Sequence, residues 1–249
     1  MGNNTQLIAG VSAKEFVALA GADSKLFCKA IFPRAFRQEF PPFFNDVWAP
    51  LEDPTSYLIS WQVFRGGMKT TALRAFAAKR IAFNISRTIL YIGKSQGHAV
   101  RSVEWLQRAV EYNRNYSGIY RLRKSKSKWT GEEIEVYNEL ADEPIRVLGF
   151  GIEGPIRGIN IDDWRPDLIL IDDVINEQNA GTTEQRDKIY DLIHGALKES
   201  LSPKSESPMA LMVMAQTPFS KEDASGLTEK DPQWKFIRIP KLTDDGESA

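Results

Sequence analysis

The sequence predicts an α/β domain built on a mostly parallel central sheet, and three observations carry that expectation. A short apolar strand at Tyr57-Leu58-Ile59 leads into a glycine-containing turn and then a stretch with helical spacing. A second aliphatic run, Leu168-Ile169-Leu170-Ile171, ends in two adjacent carboxylates, Asp172 and Asp173. Around these, short apolar runs alternate with amphipathic stretches, the order that builds parallel strands joined by right-handed helical crossovers.

Taken in order, residues 11–32 have helical spacing through Phe16, Val17, Leu19, Ala20, Leu26 and Phe27, interrupted at Gly21. Pro33, Pro41, Pro42, Pro50 and Pro54 then break residues 33–56 into short pieces studded with Phe and Trp, an ordered aromatic lead-in. After the first strand, a helix from about Thr70 to Ala82 carries Leu73, Phe76, Ala77 and Ile81 on its inner side. Thr88 to Ile92 is a second strand, and Val100, Val103, Leu106 and Val110 mark the helix behind it. Residues 114–128 combine Arg114, Arg121, Arg123, Lys124, Lys126 and Lys128 with Tyr116 and Tyr120. This reads as a solvated flexible loop, with contact to a phosphate backbone as the competing reading. Alternation at Ile134, Val136, Ile145 and Val147 predicts a hairpin around Asn138 to Glu143. Leu168 to Ile171 is the third parallel strand. Thr182 with Gln185 forms a capping box for a helix that ends before Pro203 and Pro208. Met209 to Met214 and Phe236 to Ile239 complete the set of strands.

The 249 residues, 42% hydrophobic and 26% charged, suit one large domain, divided here into a helical lead-in over 1–56 and a core over 57–249. A formal net charge of -1 provides no global basic field, so contact with nucleic acid would have to be local. One cysteine, Cys28, excludes a disulfide framework within the chain and reads as a buried apolar residue. No apolar run approaches the roughly 18 residues that cross a bilayer, and no membrane partner is expected.

The chemistry concentrates in two segments. Phe64-Arg65-Gly66-Gly67-Met68-Lys69-Thr70-Thr71 lies between a strand and a helix, where free backbone N–H groups and the helix dipole face an incoming phosphate. Lys69 would reach the outer phosphate oxygens and the Thr70 hydroxyl would ligate Mg²⁺. The loop is irregular, with Val63 and Met68 standing where a phosphate loop carries glycine. Asp172 and Asp173 supply what it lacks. Four aliphatic residues running into two carboxylates cost several kcal/mol if the acids are buried unpaired, and a metal or proton-transfer role offsets that. Asp172 is assigned to the metal and Asp173 to the attacking water, with Glu177 as rival for the second task.

Three further positions complete the candidate site. Arg157, on the glycine-flanked turn from Gly149 to Gly158, would stabilise developing phosphoryl charge, with Arg165 as the alternative. Gln216 and Thr217, at the end of the fourth parallel strand, would sense the γ-phosphate. His98 and His194 have no cysteine or carboxylate at ligand spacing and support no zinc site.

Phe64 to Thr71, Ile156-Arg157-Gly158, Arg165 to Asp173, Ala215-Gln216-Thr217-Pro218, Asp231-Pro232-Gln233-Trp234 and Ile237 to Pro240 together resemble the ATPase domain of tailed-phage large terminases, over most of residues 40–240. The resemblance implies a P-loop NTPase of the RecA-like, additional-strand type with an N-terminal helical lid, using ATP and Mg²⁺ to drive double-stranded DNA into a procapsid. It matches Arg65 to the loop arginine, Lys69 and Thr70 to the loop lysine and hydroxyl, and Arg157 to an arginine given to a neighbouring subunit's ATP. It implies a homo-oligomeric ring from a domain monomeric in isolation, portal protein and small terminase subunit as partners, and the cytoplasm of an infected bacterium as location. Asp173 stands where many members carry Glu, and the nuclease domain usual in the family is not expected in this chain. A helicase-like remodelling ATPase and a nucleotide-binding scaffold without turnover are the alternatives.

Overall fold

The computed structural model describes residues 11–141, 143–154, 156, 164–176, 179, 181–220 and 222–241. Two short helices, α1 (Ala13–Ala22) and α2 (Ser24–Ile31), replace the single predicted one. The break falls at Asp23, not Gly21. The Asp23 carboxylate accepts from the Lys25 and Leu26 backbone N–H groups and so starts α2, while a Ser12–Glu15 capping box starts α1.

The lead-in contains a helix the prolines had masked, α3 (Phe44–Glu52), with Pro50 inside it. As expected, it is packed by aromatic rings: Phe44 stacks on Trp48 at 5.1 Å, and Trp48 meets Phe76 edge-on at 6.1 Å. Lys79 ties the same region to the core by donating to Gly21 O at 3.0 Å, to Ser24 Oγ at 2.6 Å and to the Glu52 carboxylate.

The core is one eight-stranded sheet of β1 (Leu58–Val63), β2 (Thr88–Gly93), β3 (Leu122–Trp129), β4 (Glu133–Asn138), β5 (Ile145–Gly151), β6 (Leu168–Asp172), β7 (Leu211–Gln216) and β8 (Lys235–Ile239). In the order β3-β4-β5-β2-β6-β7-β1-β8, the six strands from β5 to β8 are parallel and β3 and β4 form an antiparallel edge. The predicted hairpin is present, with Ile134 opposite Val147 and Val136 opposite Ile145.

Residues 114–128 are not a flexible loop: they form α6 (Arg114–Ile119) and β3. Tyr116 and Tyr120 face inward, and Leu122 is buried on the same strand as three exposed cations, Arg123, Lys124 and Lys126. Charge density hides a half-buried edge strand, on which Lys124, Lys128 and Arg123 pair with Glu111, Glu133 and Glu139.

One face of the sheet is covered by α4 (Lys69–Ala82) and α5 (Gln96–Tyr112), together with the N-terminal helices. The other carries α7 (Thr183–Asp191), which starts at the predicted Thr182–Gln185 capping box and runs into a π-helical stretch over Leu192–Leu197. The result is a three-layer sandwich. Its central strands are buried on both sides, which explains their near-continuous aliphatic sequences.

Candidate functional site

The loop after β1 is built by steric exclusion. A Cβ on Gly67 would lie 2.4 Å from Val63 Cγ1, so only glycine lets the chain turn back over its own strand. Gly66 has φ of +92°. Met68 also occupies left-handed space, at φ 60° and ψ 14°, and is the residue that precedes the first turn of α4. This is the position where the pattern calls for glycine, and the backbone keeps the glycine conformation under a methionine side chain. Arg65 is exposed on the loop, and Thr71 lies half-buried in the first turn of α4.

Lys69 sits at the helix start, 9% exposed, and its ammonium donates to Val63 O at 3.1 Å, Phe64 O at 3.3 Å and Thr217 Oγ1 at 2.8 Å. Burial lowers its pKa, while Asp173 and Asp172 act in the opposite direction. Thr70 donates from its hydroxyl to Asp172 Oδ1 at 3.0 Å, a contact across 102 positions of sequence. The two predicted halves therefore meet.

They meet across a strand. β6 carries the carboxylates, β1 leads into the loop, and β7 runs between them, so the end of β7 delivers Gln216 and Thr217 into the gap. Asp172 is fully buried and its pKa is raised chiefly by that burial, with Tyr91, His98 and Thr70 opposing the rise. Asp173 lies just past β6 at φ 52°, a left-handed conformation that aspartate tolerates better than most residues. Its Oδ1 accepts from the Thr217 backbone N–H at 3.0 Å and from Gln216 Nε2 at 3.3 Å. Gln216 is buried and also bridges both backbone polar groups of Ile175 at 3.0 Å. Thr217 is thus the hub, joined through its hydroxyl to Lys69 and through its N–H to Asp173.

Two residues here have no site role in the sequence reading, which leaves Tyr91 in a strand and sets His98 aside. The Tyr91 phenol donates to Asp172 Oδ2 at 2.7 Å, and His98 Nε2 lies 4.0 Å from the same oxygen. The sequence offers His98 no carboxylate at ligand spacing. The pairing of β2 with β6 supplies one from 74 positions away, which no spacing rule detects. Arg157 and Gly158, and Glu177, the rival of Asp173, lie outside the described residues. Arg165 precedes β6 as expected of an element start.

Among the described residues no group of three or more His, Cys, Asp or Glu side chains could hold a metal ion. The oxygen pair of Thr70 and Asp172 fits Mg²⁺, which takes one or two protein oxygens and keeps water and phosphate for the rest. A groove of about 720 Å³ between residues 31–35 and the far end of α5 contains none of these residues.

No family model matches the sequence, and no curated protein matches it. Among solved structures, the chain is similar to the ATPase domain of the large terminase of Thermus phage P74-26, with a TM-score of 0.53 at 11% identity over 87% of this chain and 84% of that one. An arginine-to-alanine variant of the same domain gives 0.51 at 11% identity, over 87% and 85% of the two chains. At that identity the likeness is one of fold, an α/β arrangement with helices on both faces of a mostly parallel sheet.

Proposed function

We propose that this chain is a Mg²⁺-dependent ATPase, the motor domain of a large terminase that moves double-stranded DNA into a procapsid. The single observation that carries the reading is the Thr70–Asp172 hydrogen bond, which joins a glycine-containing loop to an acid-tipped strand beside Lys69. The fold shared with a phage terminase ATPase domain supports the finer assignment.

In this reading Arg65, Gly66, Gly67, Met68, Lys69, Thr70 and Thr71 hold the phosphates, the backbone N–H groups and Lys69 carrying most of the negative charge. Thr70 and Asp172 would hold Mg²⁺, which would supply positive charge against the outer phosphates. Lys69 exchanges Thr217 Oγ1 for a phosphate oxygen when ATP enters. Asp173 takes the proton of the attacking water as the new bond to the γ-phosphorus forms and the bridging bond breaks, its electrons leaving with ADP. Arg157 from a neighbouring subunit stabilises the transferring phosphoryl group. Release of Lys69 and loss of the γ-phosphate are felt at Thr217 and passed to Gln216. The working assembly is a ring acting with portal protein and small terminase subunit.

A scaffold that binds nucleotide without turnover is favoured by one observation: Asp173 Oδ1 is engaged by Thr217 and Gln216 instead of facing open space. Phosphate release measured with and without duplex DNA separates the readings. Stimulated release that Lys69→Ala abolishes, and that Arg157→Ala abolishes while leaving ATP bound, is the expected outcome. Wild-type turnover in the Lys69 variant refutes the site.

A further inference from the structure

Behind Asp172, on the side away from Thr70, lies a chain of polar groups that the proposed hydrolysis does not use. Strand register sets it up. Tyr91 pairs with Leu170 and Gly93 with Asp172, so alternate positions of β2 and β6 place the Tyr91 phenol and the Asp172 carboxylate on the face covered by α4 and α5. Gly93 opens the way for α5: a Cβ there would lie 2.7 Å from the Ala99 nitrogen and 2.9 Å from His98 Nδ1. The helix therefore settles close enough for His98 Nε2 to lie 4.0 Å from the Asp172 carboxylate.

The contacts then run in one direction. Arg74, on α4, donates from Nε to Ser102 Oγ on α5 at 3.1 Å. Ser102 also acts on the Tyr91 phenol, opposing the rise in pKa that burial imposes on it. Tyr91 donates to Asp172 Oδ2 at 2.7 Å, while Thr70 donates to Oδ1 at 3.0 Å. Tyr91, Ser102 and Asp172 are all fully buried. In such surroundings an uncompensated carboxylate is costly, and the Tyr91 and Thr70 hydroxyl donors offset that cost. They also fix rotation about the carboxylate, because each oxygen has its own donor on an opposite side.

We propose that Tyr91, backed by Ser102 and Arg74, is a positioning residue for the metal-binding carboxylate: it holds Oδ2 so that only the Oδ1 edge, beside Thr70, is presented to Mg²⁺. The inference rests on the reading of this site as a Mg²⁺–nucleotide site. Its place in the strand makes a plain packing role for Tyr91 the competing explanation, and the two differ in what they do to metal dependence. Outer partners of metal ligands change metal affinity by about 10- to 100-fold, whereas a packing defect weakens nucleotide binding with or without metal.

The test is equilibrium binding of a fluorescent ATP analogue during titration with MgCl₂. For Tyr91→Phe the Mg²⁺ concentration at half-effect should rise about 10-fold, with affinity in the absence of Mg²⁺ unchanged. Ser102→Ala keeps the Tyr91–Asp172 contact and should shift the same midpoint in the same direction by less. Asp172→Asn should remove the Mg²⁺ effect. If Asp172→Asn does so while Tyr91→Phe and Ser102→Ala titrate like the wild type, the nucleotide site stands and the positioning role is refuted. Equal weakening by Tyr91→Phe with and without Mg²⁺ refutes it too, in favour of packing. A wild-type protein whose binding is indifferent to Mg²⁺ refutes the site reading itself.

Discussion

Met68 offers a sharp test of how the loop between β1 and α4 is held. At φ 60° and ψ 14° it occupies left-handed backbone space, and no side-chain cap bond is made there. For a residue with a Cβ that conformation costs roughly 1–2 kcal/mol. Replacing Met68 by Ala keeps the strain and removes the side chain, which packs partly buried against the core. Replacement by Gly removes the same side chain and the strain together, but adds the freedom of glycine in the unfolded chain, worth about 0.5–1 kcal/mol. The difference between the two variants cancels the lost packing. It leaves Met68→Gly more stable than Met68→Ala by about 0.5–1 kcal/mol, opposite in sign to the same pair inside a regular helix. Urea unfolding followed by far-ultraviolet circular dichroism, with equal slopes in the two variants, measures the difference from the midpoints. An alanine variant equal to or more stable than the glycine variant would refute a left-handed Met68 and with it the geometry assigned to the loop.

Two further outcomes follow from contacts remote from the site. Lys79→Ala should destabilise by roughly 3 kcal/mol in the same unfolding assay, because it leaves the Glu52 carboxylate and Gly21 carbonyl without their buried cation; a loss under about 0.5 kcal/mol would mean that α1–α3 are not anchored through it. His194 stacks on Tyr190 at 4.1 Å, lies 5.2 Å from Trp234 and has its pKa lowered mainly by burial. A depressed folded pKa means that the unfolded chain binds the extra proton, so this histidine's contribution to stability is intact above the ordinary value of 6.5 and is lost as pH falls below it. Unfolding midpoints of the wild type should drop over that interval more steeply than those of His194→Phe, and parallel profiles would refute the assignment.

The parts of the structure legible in the sequence are those in which local pattern and tertiary role coincide. Strand, glycine turn and helix are contiguous from Leu58 to Ala82, the acids follow their strand directly, and the Thr182–Gln185 capping box is a four-residue signal. What was missed depends on distant pairing. Tyr91 lies in an unbroken apolar run and looks like core until β2 is laid beside β6 with Gly93 opposite Asp172. β3 was hidden because its cations dominate a strand that has only one buried face, and α3 because Pro50 sits within a helix. The π-helical stretch at Leu192–Leu197 has no signal in a pattern that reads equally well as continuous α-helix.

The position of β7 between β6 and β1 has a consequence for how the site can be altered. Neighbouring strands in a sheet are about 4.8 Å apart, so two spacings fix a slot of roughly 10 Å between the strand that bears the acids and the strand that feeds the loop. The width of that slot is a property of the backbone ladder, and no side-chain substitution tunes it. Lengthening Asp173 to glutamate would extend its reach by one carbon–carbon bond of about 1.5 Å across a gauge that stays constant. Any adjustment in that slot falls to its floor, where Gln216 ends the strand that sets its width and Thr217 follows it.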